Sequence, residues 1–264
     1  IVLKTGDSYE LVEVPVVTGN TIKHWHFVHF VNSYKGLGGE SLCEYCRRLI
    51  GYRSPDKAGK NEEYFISRCA GEDVHGFLQP ENQVRRDSLV RFSFAIPVED
   101  FEARFDTVTH NRVVVNEEGV ITKEGMMIFK RQYSSSLYGI LMVMDLYYVG
   151  RELYSSENKL VISEDEAKLR KKAALLALIP LLAGEMGALR SRAQPVWRVE
   201  ELVVSCSQKP IPPLVHGHYS DYFEQSIRTL STYAKLTGAN IEVLTYGIKA
   251  VSYTHLTLPT TERV

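Results

Sequence analysis

Two stretches with strand chemistry, 105–115 and 126–132, flank a short polar tip at 116–125 that contains Glu117, Glu118 and Gly119. Strand-forming runs joined in this way pair antiparallel as a hairpin. A second hairpin is expected at the start, where Val2 and Leu3 precede the Gly6-Asp7 turn and YELVEVPVV follows at 9–17. Further strands are expected at 88–96 (SLVRFSFAI), 137–146 (LYGILMVMDL), 200–205 and 241–244. Helical patterns lie between them. Hairpins dictate an antiparallel sheet, so interspersed helices give an α+β fold rather than a doubly wound one.

The first helix is expected over 22–34, capped by Thr18, Asn20 or Thr21 and ended by Gly36, Gly38 and Gly39. Its residues Ile22, Trp25, His26 and His29 fall at helical spacing. A longer helix is expected over 164–186, with Glu164, Asp165 and Glu166 at the positive end of its dipole. Ala173, Leu175, Leu176, Leu178, Ile179 and Leu182 are read as its apolar side, with a kink at Pro180. A third, amphipathic helix covers 220–237 and ends at Gly238. The polar segment 40–75 reads as a small, partly helical insertion.

The 264 residues allow one large domain, and 44% hydrophobic with 24% charged residues is ordinary globular composition. The longest apolar runs, 140–144 and 173–183, are too short to cross a bilayer, and no secretory leader is present, so a cytoplasmic protein is expected. The net charge of −1 gives no overall support for nucleic-acid binding, although a balanced total can hide a basic stripe. The chain opens at Ile1 inside a strand pattern. At the other end VSYTHLTLPT, 251–260, is identified as a translated transposase sequencing adapter. These ends read as those of a metagenomic fragment, and 251–264 is set aside as non-native.

Cys43-Glu44-Tyr45-Cys46, followed by Cys69 and His75, gives C-x2-C and then C-x5-H. Three thiolates and an imidazole form an acceptable tetrahedral zinc set. The second half is not standard knuckle spacing, so buried free thiols are the preferred reading and no metal or cofactor is assigned. His26 and His29 can share a helix face, but Trp25 and Phe27 beside them favour packing over ligation. His110 with Asp106 on one strand face suggests a general base in a metal-free ribonuclease. No second histidine or activated nucleophile is spaced to complete that site, so catalysis is not expected.

Five stretches taken in order carry a resemblance: VLKTGDSYELVEVPVVTGNTIKH, EDVHGFLQPENQVRRDSLVRFSFAIPV, ARFDTVTHNRV, MMIFKRQYSSSLYGILMVMDL and GEMGALRSRAQPVWRVEELVVS. Together they resemble the DevR-type CRISPR-associated proteins, the backbone subunit of archaeal-type (type I) Cascade. The resemblance implies a modified RNA-recognition-motif (ferredoxin-like) core over 1–39 and 76–246, with 40–75 inserted and one family strand upstream of Ile1. It implies a thumb-like hairpin at about 105–132 that folds over guide RNA. It also implies head-to-tail stacking of copies, contacts with crRNA, target nucleic acid and other Cascade subunits, and no catalytic site.

A subunit that holds RNA of any sequence needs phosphate and ribose contacts rather than base-edge readout. Thr18, Gly19 and Asn20 form a turn at a helix N-terminus, with Lys23 and His24 one turn further on. Spacing alone leaves these residues evenly split between anion binding and ordinary capping, and the resemblance favours RNA. Arg85 and Arg86 precede a strand in a polar loop, where solvation is the plainer reading without the resemblance and phosphate contact the reading with it. Lys130 and Arg131 are adjacent on a strand and point to opposite faces, so at most one meets RNA through a given surface. His110, Asn111 and Arg112 read as a polar strand of the thumb. Arg190 and Arg192 follow Gly187, where cations can serve the helix end, the RNA or both.

Overall fold

The structure, a computed structural model, describes residues 1–5, 8–53, 60–81, 83–115, 117, 119, 121–187 and 194–248, and in parts of three strands the backbone alone. The tail 251–264 and the cations Arg190 and Arg192 lie outside the described residues. In chain order the elements are β1 (Val2–Thr5), β2 (Ser8–Leu11), α1 (Gly19–Gly36), α2 (Glu44–Arg47), α3 (Glu62–Arg68), α4 (Ala70–His75), β3 (Phe77–Gln79) and β4 (Val84–Arg86). They continue with β5 (Val90–Phe92), β6 (Ile96–Pro97), β7 (Arg104–Val115), β8 (Ile121–Ser135), β9 (Tyr138–Gly139) and β10 (Met142–Met144). A 3-10 turn (Leu146–Tyr148), α5 (Glu164–Leu176), α6 (Leu178–Leu182), β11 (Leu202–Cys206), α7 (Tyr222–Thr237) and β12 (Glu242–Tyr246) complete the chain.

Helices and antiparallel pairs alternate, as an α+β fold requires. Among the described residues every ladder has two strands. The pairs β5–β10, β6–β9 and β7–β8 follow one another along a single ribbon. Backbone bonds from Ser93 N to Leu141 O (2.9 Å) and from Val98 N to Leu137 O (2.8 Å) bridge the gaps between them. The inner end of the ribbon is core, with Leu89, Val90 and Ala95 buried. The outer end, β7–β8, runs from Arg104↔Ser135 to Val115↔Ile121 with an irregularity between Arg112 and Val114. Val108 and Ile128 stand exposed on it, so this part projects from the body.

Three of the expected strands are shorter than their chemistry suggested, among them 137–146, which divides into β9 and β10. The 9–17 run pairs only as far as Val12, which exchanges backbone bonds with Ile1 at 2.9 Å, and Val17 returns as a single bridge to Ala95. The 88–96 strand divides at Ser93, whose hydroxyl accepts the Leu141 N–H at 2.8 Å in place of a ladder carbonyl.

α1 is the centre of the main core. Ile22, His26, Phe27, Phe30, Val31 and Tyr34 are buried on it, and α2, α4, β5 and α5 close around them. α7 forms a smaller cluster with β11–β12 through Leu230, Ala234, Ala239, Ile241 and Val243, and Gly238 ends it at φ +65°. The 164–186 helix breaks at Ala177, one turn before Pro180, whose ring and missing N–H disrupt the preceding turn. Its inward face keeps Ala173 from the expected one and otherwise differs. Ala167, Arg170, Ala173, Ala174, Ala177 and Leu181 point inward, while Leu175 and Ile179 are 49% and 64% exposed. Alanines let α5 approach α1 closely, and a line of leucines would hold it off.

The interior also holds a charged network. Arg86, expected on an RNA-facing loop, is 2% exposed and belongs to it. Its Nη2 donates to Asp73 Oδ1 (2.7 Å), its Nη1 to Glu62 Oε1 (2.7 Å) and its Nε to the Asp73 carbonyl (2.8 Å). The carbonyls of Arg151 and Tyr148 take the remaining N–H groups, each at 2.8 Å. Arg86 therefore has no donor left for a phosphate, which corrects its assignment. Asp73 Oδ2 accepts from Arg170 Nη1 (2.9 Å), and Arg170 Nε reaches Glu166 Oε1 (2.7 Å). Tyr34 donates its hydroxyl to the same Glu166 oxygen at 2.5 Å.

Removing one partner from a buried ion pair leaves the other charge stranded, at about 3–5 kcal/mol. Arg86→Ala is expected to destabilise by about that amount in urea unfolding, and Arg85→Ala by no more than about 0.5 kcal/mol. Equal effects of the two substitutions would refute the placement of Arg86.

Candidate nucleic-acid interface

Three parts of the fold carry the cations expected to meet RNA. The first is the start of α1. Thr18 is the N-cap, and its Oγ1 accepts the Thr21 N–H at 3.3 Å. No acidic residue occupies the first turn, so the positive end of the helix dipole is uncompensated there. Asn20 is exposed. Gly19 is buried, and a Cβ on it would lie 2.4 Å from the Phe92 carbonyl oxygen. The close approach that this glycine permits is thus to the β5 backbone, a correction to its reading as a direct RNA contact. Lys23 and His24 follow one turn on. Burial and the nearby Arg53 guanidinium lower the Lys23 pKa to about 8.

Arg53 was not singled out in the sequence, where it sits among the breakers of the 40–75 segment. Its guanidinium lies 5.1 Å over the Phe27 ring. Only the recurrence of cations near α1 could have pointed to it, and that depends on the fold.

The second part surrounds Arg85, which is exposed and stands 5.4 Å over the Tyr154 ring. Asn61, Gln83, Ser155 and Glu152 line an open hollow with them. An arginine stacked on an aromatic ring beside amide and hydroxyl groups suits phosphate, ribose or a stacked base. Arg85 and Arg86 are neighbours on β4, so one faces solvent and the other the core.

The third part is the projecting ribbon. Lys130 is exposed opposite Thr109, and Arg131 is half-buried opposite Val108. Cross-strand partners share a face, so the two cations serve opposite faces. His110, Asn111 and Arg112 belong to β7, pairing with Phe129, Ile128 and Met127, while their side chains lie outside the described residues.

The three thiols come together as the candidate zinc set requires, and the histidine does not. The sulfur atoms of Cys43, Cys46 and Cys69 lie within 4.8 Å of one another, and all three residues are buried. His75 does not join them. Its Nε2 pairs with His26 Nδ1 at 2.9 Å, and His26 Nε2 meets the Ala174 carbonyl at 3.0 Å. This corrects His75 as a candidate ligand. Hydrogen bonds from the other two thiols hold Cys43 low, whereas Cys43 and burial push Cys46 up. Burial lowers His26 to about 4 and His75 well below its usual value, so the pair is neutral.

A serine–histidine contact occurs elsewhere, with Ser93 Oγ 2.8 Å from His216 Nε2. His216 Nδ1 accepts the His218 N–H at 2.9 Å, which leaves the ring proton on Nε2. Nε2 therefore acts as a donor to Ser93, and the contact cannot serve as a nucleophile–base pair.

Fold and surface together describe an antiparallel α+β chain with a projecting ribbon and separated exposed cations, suited to an extended polyanion. The chain belongs to the DevR/Csa2 family: residues 1–227 match the family described as CRISPR-associated negative auto-regulator DevR/Csa2. It is 40% identical to the CRISPR-associated protein Cas7/Cst2/DevR of Methanocaldococcus jannaschii, across 93% of this chain and 83% of that protein. The protein of the same description from Thermoproteus tenax is 42% identical, across 94% and 78%. The CRISPR-associated aCascade subunit Cas7/Csa2 2 of Saccharolobus solfataricus is 26% identical, across 91% and 80%. Among solved structures, a chain of a CRISPR RNA-guided surveillance complex aligns with a TM-score of 0.41 and 12% identity, over 87% of this chain and 75% of that one. A chain of the pre-nicking complex aligns at 0.44 and 13%, over 89% and 84%.

The neutral histidine pair has a measurable consequence. His26 titrates near 4 in the fold against 6.5 in an unfolded chain. Between those values the unfolded state binds more protons, so stability is lost as pH falls through the window. Urea midpoints should drop from neutrality to about pH 5, and the drop should shrink in His75→Gln. An unchanged pH dependence in that variant would show that the pair is not the source.

Proposed function

We propose that this chain is a non-catalytic backbone subunit that coats guide RNA in a type I Cascade surveillance complex for antiviral defence in the cytoplasm. Membership of the DevR/Csa2 family over residues 1–227 carries this reading. The relative named as an aCascade subunit supports it. Among the described residues no helix is long and apolar enough to cross a membrane. On this reading the β5–β10 ribbon belongs to a modified RNA-recognition-motif core, β7–β8 is the thumb, and 40–75 is the insertion. Copies stack head to tail, a heterologous contact that builds an open filament. Other Cascade subunits and target nucleic acid are its further partners. The exposed pair Leu175 and Ile179 on α5–α6 offers apolar surface for such contacts.

RNA is held through phosphate and ribose by Thr18, Asn20, Lys23 and His24, by Arg85, and by Lys130 or Arg131 on the thumb. His110, Asn111, Arg112, Arg190 and Arg192 remain candidates on the same reading. A labelled single-stranded RNA of arbitrary sequence, titrated at low and moderate salt, tests it. Several copies per strand, weaker binding at higher salt and in Arg85→Ala, and no cleavage are expected. Strand cutting, or no binding, would overturn the proposal.

Lys23 adds a pH signature. Its pKa of about 8 means that the charge is lost well below the usual lysine range. Affinity should therefore fall as pH rises through about 8, and Lys23→Arg should hold it level. A flat profile in the parent protein would remove Lys23 from the interface.

A further inference from the structure

Three cysteines from two separate segments meet inside the main core. Cys43 is the N-cap of α2, and its sulfur accepts the Cys46 N–H at 3.5 Å. Cys69 occupies the extended junction between α3 and α4, and its side chain makes no capping bond there. A backbone bond from Ala70 N to Ser41 O, 2.8 Å, ties the two segments together beside the sulfurs. The C-x2-C turn with an N–H donated to the first sulfur is the local geometry in which two thiolates converge on one ion.

The geometry points to a zinc site at Cys43, Cys46 and Cys69, with three protein thiolates and a fourth position filled by water or a small anion. Zn–S bonds of about 2.3 Å in a tetrahedron place sulfurs about 3.8 Å apart. The three sulfurs already lie within 4.8 Å of one another, so a contraction of less than about 1 Å on each edge closes them on the ion.

Two neighbours fit this assignment. Gly71 faces the cluster, and a Cβ there would come within 2.8 Å of the Cys46 sulfur, so a larger residue would displace a ligand. Arg53 lies within electrostatic reach of Cys46 and Cys69, and of the buried Glu72 carboxylate, so it offsets part of the negative charge that three thiolates around Zn2+ bring there. Among the described residues no fourth histidine, cysteine or carboxylate joins the cluster, which is why the fourth position is assigned to a small exogenous ligand.

Metal content of the full chain, purified without chelator and dialysed against zinc and then buffer, tests the assignment. One zinc per chain is expected, absent in Cys43→Ser and Cys69→Ser and retained in Cys206→Ser. Because the serine variants can fail to fold, the unmutated protein supplies a second measurement. Titration of its thiols with an organomercurial should release the zinc into a chromogenic chelator as the three core thiols react. Cobalt taken up in place of zinc should show a sulfur-to-metal charge-transfer band. A native protein that takes up neither metal, or that keeps its zinc in both serine variants, would overturn the site. None of these readouts involves RNA, so the site and the proposed function fail separately.

Discussion

Asp73 is the residue on which the most elements depend. Its carboxylate accepts from Arg86 on β4, from Arg170 on α5 and from the Gly150 backbone N–H. Through those arginines it is joined to Glu62 on α3 and Glu166 on α5, and through Glu166 to Tyr34 on α1. The short elements α3, α4 and β3 bury Phe65, Ile66, Val74 and Phe77, but apolar burial is non-directional and does not by itself fix their orientation. Directional charged bonds supply the missing specificity, at a desolvation cost that the full set of hydrogen bonds offsets. The network also fits the alanine-rich face of α5, which is joined to α4 by the Arg170–Asp73 pair and to α1 by the bond from Tyr34 to Glu166.

From this interior the ribbon of β5–β10 carries the chain outward. Its inner pairs are anchored against α1 through Val90 and Ala95, while β7–β8 is stabilised chiefly by its own ladder. Twelve residues in β7 and fifteen in β8 give a long arm, which on the proposed reading reaches across a bound strand. A rigid root with a projecting arm positions polar groups far from the core without opening it.

Much of this was legible in the sequence. The hairpin at 105–132 and the helices at α1 and α7 followed from alternation, capping and terminal glycines, which are local properties. Gly238 and Thr18 act as expected because caps need only their own neighbours. The misread residues depend on partners distant in sequence. Arg86 resembles Arg85 until β4 is placed, although the strand rule that separates Lys130 from Arg131 applies equally to them. His75 looked like a ligand because the sequence does not show His26, 49 positions away, as its partner. Of the apolar side expected for the 164–186 helix, Ala173 is fully buried while Leu175 and Ile179 are exposed, and the inward face is the one that carries Arg170 and the other alanines.

The same network bears on how a chain with a net charge of −1 can hold RNA. Two of its 31 basic residues and three of its 32 acidic ones are engaged in the interior ion pairs, which leaves the remaining charges evenly balanced. Bulk attraction therefore contributes little, and affinity on the proposed reading must come from where the few exposed cations stand. Such local contacts are weak for one copy. On the proposed head-to-tail stacking, neighbouring copies raise each other's effective concentration, and avidity supplies what net charge does not. A nearly neutral subunit also avoids the self-repulsion that a strongly basic one would meet when packed head to tail. On that view the balance of charge is a condition for polymerising on RNA, and the internal pairing of Arg86 and Arg170 helps to set it.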